Sequence, residues 1–294
     1  LSPGARHYYK VLWNAQVISE AYYDSSKQAT QPFSFIVFGD SGYGEANPSS
    51  PQMQLAQAMQ TEYDARNFDL ILHTCDVVYP NGEQANYPAN FFTPYSYLLS
   101  RVPAFAVLGQ IDSRTERGAP FFTNFYLPKN FEGGENYYSF EHGDALFVGI
   151  DSVTTDYAVG SPQFSFAVNA LLSSEQPWKF ISFNPPVFLS TNNVLSQSLT
   201  AANLVPLFSF LGVHAVFNGN QHYYARFKET KGVTTFVTGG GGAPLQTPPA
   251  LQDIAKSVSD YHFLRVDVGS DSLSFKAIDS RGNVIDSGAI APKE

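Results

Sequence analysis

The 294-residue chain is 44% hydrophobic and 15% aromatic but only 15% charged, a balance that buries a large core and excludes a disordered segment. Its 26 acidic residues outnumber 17 basic ones, for a formal net charge of −9, and no basic run or aromatic-interleaved basic stripe occurs, so no nucleic-acid partner is expected. No apolar stretch reaches the length of a membrane span, and the single cysteine, Cys75, excludes an intramolecular disulfide.

Residues 1–32 form a first unit. "ARHYYKVLWNAQVISEAYYD" alternates like two strands after a Pro-Gly turn, and "SSKQATQP" is a linker. The strands read either as the end of a preceding fibronectin- or immunoglobulin-like sandwich or as a hairpin packed on the main domain. Residues 33–294 form that main domain. "FSFIVFGD" is a buried strand, Ser50-Pro51 opens a helix to about residue 66, and "FDLILHTCD" is a second strand. "YSYLLSR" closes a helix and "VPAFAVLGQID" is a third strand. "NYYSFEHGDALFVGID" reads as a hairpin around Gly143, followed by a helix near 161–174, the strand "WKFISFNPP" and a helix near 199–211. The strands "HAVFNGNQH" and "TTFVTGGGG" then lead into a C-terminal meander with turns at Gly269-Ser270 and Arg281-Gly282. The expected fold is a layered α/β domain with packed sheets inside and helices outside.

Polar residues fall where successive strands end: Asp40, Asp76, Tyr79, Gln110, Asp112, Asn184, Asn220 and His222. In α/β sheets the carboxyl ends of strands line the ligand crevice, so these side chains are expected to converge. Each has a plainer reading when taken alone, as a turn cap, a packed ring or a satisfied strand-end polar group. No G-x-S-x-G elbow is present for a serine hydrolase. The glycine run at 239–242 lacks the lysine of a phosphate-cradling loop and reads as a tight turn.

"FGDSG", "CDVVYP", "LGQID", "FNPP" and "GNQHYYAR", in this order and spacing, resemble the five blocks of the metallophosphoesterase (calcineurin-like) superfamily, in its purple acid phosphatase branch. The resemblance covers residues 33 to about 245. It implies two mixed sheets flanked by helices, export from the cell, and a site of two metal ions about 3.5–4 Å apart that acts on phosphate esters. It assigns Asp40, Asp76, Tyr79 and His222 to a first pocket suited to iron(III), since a hard trivalent ion stabilises a phenolate. Tyr224 and Arg226 match the trailing part of the last block, where they support the site.

The second pocket departs from the pattern. Gln110, Asn184 and Asn220 stand where the family has an Asn and two His, and amide oxygens are poor ligands for zinc, iron or manganese. A second divalent metal is therefore expected to be weak or absent. Ile111 replaces the family's phosphate-binding acid, and Cys75 replaces a Gly before Asp76; a lone buried cysteine is usually an inert small hydrophobe. Two functions are open. One is a pseudoenzyme or strongly impaired phosphoesterase used for binding, self-assembly or a protein partner. The other is a slow phosphomonoesterase in which Gln110, Asn184 and Asn220 contact the phosphate. The start at Leu1, without an initiator methionine, reads as a processed chain and fits a secreted or periplasmic location.

Overall fold

The computed structural model describes residues 2–43, 47–187 and 201–293. Strands β1 (Arg6–Trp13) and β2 (Gln16–Asp24) pair as an antiparallel ribbon, turned by Asn14 and Ala15 at φ 47° and 64°. Its base is held to the main domain where Tyr9 Oη donates to the Ser100 carbonyl at 2.8 Å, while Tyr8, Leu12, Trp13 and Ile18 project into solvent.

The main domain then runs β3 (Phe33–Phe38), α1 (Pro51–Ala65), β4 (Leu70–His73), α2 (Thr93–Leu99), β5 (Ala104–Ala106) and α3 (Ala119–Asn124). Next come β6 (Tyr138–His142), β7 (Ala145–Gly149), α4 (Pro162–Ser173), β8 (Trp178–Phe183), α5 (Ala201–Phe210) and β9 (Ala215–Asn218). The last strands are β10 (Tyr224–Phe227), β11 (Thr234–Thr238), β12 (Ile254–Val258), β13 (His262–Val268), β14 (Leu273–Asp279) and β15 (Val284–Ile290). They form a six-stranded sheet ordered β15-β14-β13-β3-β4-β5 and a seven-stranded sheet ordered β12-β10-β11-β9-β8-β7-β6. In the first, β3, β4 and β5 are parallel; in the second, β7, β8, β9 and β11 are.

The sheets face each other over an aromatic core in which Phe35 meets Phe147, Phe180 and Phe217 at ring-centroid distances of 5.2–5.9 Å. Leu55, Met59 and Tyr63 of α1, with Tyr95 and Leu98 of α2, cover the outer face of the smaller sheet. Leu171 of α4 and Val205 and Phe208 of α5 cover the larger. Ser50 and Ser161 cap α1 and α4 by accepting from Met53 N and Phe164 N, as their Ser-Pro openings lead one to expect.

The layered α/β fold is the expected one, with local differences. The strand expected over "VPAFAVLGQID" ends at Ala106, because the Gly109 amide donates to the Asp112 carboxylate at 2.9 Å instead of a neighbouring strand. Strands β10 and β12 and helix α3 are too short, or too polar, to have stood out in the sequence. The first positions of the helix expected near 199–211 lie outside the described residues.

His142, His214 and His262 are core residues, and burial lowers each to a pKa of about 4. His262 Nδ1 donates to the Asp260 carbonyl at 2.9 Å, leaving Nε2 buried without a partner, so a second proton there would find no acceptor. Its folded pKa lies below the unfolded value near 6.5. Neutral His262 therefore stabilises the fold fully above about pH 6.5, and that stabilisation is lost as pH falls toward about 4. The unfolding free energy of the native chain should drop relative to His262→Gln by up to about 1.4 kcal/mol per pH unit across that window. Urea titrations of both proteins at several pH values test this, and a pH-independent difference would refute it.

Candidate metal centre

Both sheets send strand ends to one edge of the sandwich. Beyond β3 the chain continues alongside the segment beyond β4: Asp40 N donates to the Cys75 carbonyl at 3.0 Å, Ser41 N to Asp76 at 3.2 Å and Gly42 N to Val77 at 2.9 Å. The end of β9 arrives from the larger sheet, and Asn220 N donates to Asp40 Oδ2 at 2.9 Å. Asp40, Asp76 and Asn220 all adopt left-handed backbone (φ 57°, 50° and 66°), costly for residues with a Cβ and characteristic of side chains held for function. Two glycines permit the close approach. A Cβ on Gly109 would sit 2.0 Å from Asp76 Oδ1, and one on Gly219 would sit 2.4 Å from Cys75 Sγ.

Three of the four residues expected in the first pocket meet directly. Tyr79 Oη lies 3.1 Å from Asp40 Oδ1 and 3.2 Å from His222 Nε2, and His222 Nε2 lies 3.3 Å from Asp40 Oδ1. Edges of this length match adjacent ligands about a cation with bonds of roughly 2.0–2.3 Å. His222 Nδ1 faces the Pro244 carbonyl at 2.8 Å, and a carbonyl can only accept, so Nδ1 carries a proton. Nε2 faces the triangle; protonated it pairs with Asp40, and deprotonated it would offer a cation its lone pair.

Asp76 belongs to a second group. Ligand atoms of Asp40, Cys75 and Asp76, all buried, lie within 4.8 Å of one another. Asp76 Oδ1 also accepts from Ile111 N at 2.7 Å, so residue 111 contributes a backbone amide here and no acid. The carboxylate common to both groups is Asp40's, whereas the family pattern gives that place to Asp76.

Asn184 reaches the same floor. It is fully buried, and among the described residues neither its Oδ1 nor its Nδ2 has a hydrogen-bond partner of good geometry, a costly state in a folded core. Gln110 and Asn220 stand at the partly exposed rim, Gln110 beside Ile111 and Asn220 through its amide on Asp40. Asp40, Asp76, Tyr79, Asn184, Asn220 and His222 thus come together at this edge, Gln110 adjoins it through the backbone of Ile111, and Cys75 is the donor that the sequence reading takes as inert.

The electrostatics suit a cation. Burial, then the Asp40 and Asp112 charges, push the Asp76 carboxyl well above the usual range. Burial raises Asp112 to about 7 against the opposing hydrogen bonds from Gly109, Val77 and Val78. Burial and then Asp40 and Asp76 raise the Tyr79 phenol as well. His222 is raised: burial opposes its charge, but the hydrogen bond and attraction to Asp40 prevail. Three buried carboxyls, with His222 paired to Asp40 and no Arg or Lys partner among the described residues, form an acid-rich site that a bound cation would complement.

Outside this edge, Tyr224 and Arg226 join the two sheets. Tyr224 Oη donates to Asp286 Oδ2 at 2.7 Å and Arg226 Nε to the same oxygen at 2.8 Å, locking β10 against β15 of the other sheet.

No protein-family model matches the chain. Among curated proteins, the probable inactive purple acid phosphatases 24 and 27 of Arabidopsis thaliana are each 25% identical to it, over 78% of this chain and 44% of theirs. The chain spans less than half the length of these relatives. Among solved structures, the purple acid phosphatase PPD1 from yellow lupin seeds superposes with a TM-score of 0.84 at 22% identity, covering 99% of this chain and 60% of that one. Two facing mixed sheets and these likenesses agree: the chain has the fold of the purple acid phosphatases and is similar in sequence to two proteins named as inactive ones.

Proposed function

We propose that this protein is an eroded purple acid phosphatase, a pseudoenzyme or strongly impaired phosphoesterase whose scaffold serves binding or assembly. The observation that carries this reading is the second pocket. Asn184, buried and unpartnered, stands where an imidazole ligand belongs, and Ile111 offers only a backbone amide where the family has an acid. The Arabidopsis relatives are named inactive, which supports it.

The first pocket fits a metal. Asp40, Tyr79 and His222, with Asp76 nearby, would hold it, and iron(III) suits their carboxylate, phenolate and imidazole donors. When bound, such an ion supplies Lewis-acid stabilisation to a phosphate ester. The intact triangle favours a second reading, slow phosphomonoester hydrolysis. In it the Asn184, Asn220 and Gln110 amides orient phosphate oxygens by donating hydrogen bonds, and no side chain at 111 protonates the leaving group. From the resemblance we read the protein as exported.

Metal analysis and turnover of the full chain test the proposal. It predicts at most one tightly held transition metal at the first pocket and p-nitrophenyl phosphate turnover far below the typical 1–10³ per second. Two tightly bound transition metals with brisk turnover would overturn it.

A further inference from the structure

We infer that Cys75 is a metal ligand, forming with Asp40, Asp76 and Asn184 a one-thiolate seat for zinc or a similar borderline-soft divalent cation. The inference rests on the reading of an eroded second pocket: the sulfur supplies a strong donor in a place from which the imidazoles are gone.

Distances and partners carry the argument. Cys75 Sγ lies 3.6 Å from Asp40 Oδ2, close to the roughly 3.5 Å edge that a tetrahedral zinc with Zn–S near 2.3 Å and Zn–O near 2.0 Å gives between sulfur and oxygen. Asp76 completes a group of three donors within 4.8 Å. Asn220 N donates to Sγ at 3.1 Å and to Asp40 Oδ2 at 2.9 Å, the kind of outer hydrogen bond that supports a metal-bound thiolate and its carboxylate neighbour. Gly219 makes room for the sulfur, since a Cβ there would come within 2.4 Å of it.

Asn184 points independently to a ligand. It is fully buried beside the Cys75 sulfur, and among the described residues neither of its amide atoms has a hydrogen-bond partner of good geometry. An inert buried thiol explains the filled volume but leaves the Asn184 carbonyl oxygen orphaned. With a cation held by Cys75, Asp40 and Asp76, that oxygen would serve as a fourth donor.

The two oxygens of Asp40 divide the site. Oδ1 faces Tyr79 and His222, while Oδ2 faces Cys75 and Asn220, so the thiolate seat is separate from the oxygen-rich first pocket. On binding, the Cys75 S–H bond breaks, the sulfur lone pair forms the S–metal bond, and the proton leaves to buffer.

The test is titration of the metal-stripped full chain with Zn²⁺ and, as a spectroscopic probe, Co²⁺. The native protein should show a sulfur-to-cobalt charge-transfer band in the near ultraviolet, saturating at one thiolate-bound ion per chain. Cys75→Ser and Cys75→Gly should abolish the band and weaken zinc binding at that seat by about 100-fold or more, since a soft donor is lost. Asn184→Ala should keep the band and weaken zinc binding about 10–100-fold. Circular dichroism and thermal unfolding identify variants that remain folded; glycine is the residue the family pattern places at position 75. A native protein that binds cobalt without a sulfur band, or folded Cys75 variants with native zinc affinity, would overturn the inference and leave the proposed function standing. Brisk turnover with two tight metals would remove the proposed function whatever the sulfur band shows.

Discussion

A variant carrying Gln110→Asn, Ile111→His, Asn184→His and Asn220→His is expected to hydrolyse p-nitrophenyl phosphate at least about 100-fold faster than the native chain. Two separate deficits are repaired. The imidazoles at 184 and 220 restore strong donors to the second pocket and the shorter amide at 110 restores the family's Asn, so that a second metal held there would supply several kcal/mol of charge stabilisation to a transferring phosphoryl group. The imidazole at 111 restores a group that can protonate a leaving oxygen, worth about 10²–10⁴ in rate. The four changes act as a unit, so single reversions should each give little. Space is the principal obstacle. Asn184 is fully buried and faces the Cys75 sulfur, and an imidazole is bulkier than the amide it replaces. Adding Cys75→Gly removes that crowding, and the five-fold variant should be the more active of the two. The scaffold itself is ready: Asp40, Tyr79 and His222 already meet within 3.1–3.3 Å. Should the repaired proteins bind two metals yet stay as slow as the native chain, erosion of these positions would not be the cause of the low activity.

How much of the fold and the site is legible in the sequence depends on whether a residue acts alone or through its neighbours. Buried strands such as "FSFIVF" and "LILH" declare themselves, because a strand covered on both faces is an uninterrupted apolar run. Ser-Pro openings likewise mark α1 and α4. The strand-end positions of Asp40, Asp76, Asn184 and His222 follow from that pattern, and their convergence follows from sheets that share one edge. Distances do not. Nothing in the string says that Asp40 Oδ1 would join Tyr79 and His222 while Asp76 sits with Cys75, since that depends on three left-handed residues and on how closely glycine backbones pack. Cys75 is legible as an unusual residue, but its partners are 109 and 145 positions away, at Asn184 and Asn220. The short β5 is hidden for the same reason: the group that ends it is a side chain six residues beyond Ala106, the Asp112 carboxylate.

That carboxylate is the basis of the largest stability effect expected here. Asp112 is fully buried, with Oδ1 accepting from Val77 N at 2.8 Å and Oδ2 from Gly109 N at 2.9 Å. One side chain thus fastens the segment bearing Asp76 and Tyr79 to the segment bearing Gln110 and Ile111. Asp112→Ala would strand those buried amides, each costing about 1–3 kcal/mol, so the variant should lose roughly 3–5 kcal/mol of unfolding free energy. Asp112→Asn separates shape from acceptor capacity. It keeps the size, but one of its two terminal groups becomes an NH₂ aimed at a backbone N–H, so it should lose about half as much. Relief of repulsion between Asp112 and Asp76 pulls the other way, yet it acts between charges, whereas the lost acceptors serve two buried donors. The site should loosen with the fold. Ile111 N holds Asp76 Oδ1 at 2.7 Å only while the two segments are fastened, so metal retention should fall in both variants, more in Asp112→Ala. Urea unfolding and metal content of the two full-length variants measure both effects. A loss below about 1 kcal/mol in Asp112→Ala would show that water or a shifted backbone satisfies the freed amides, and that the fastening lies elsewhere.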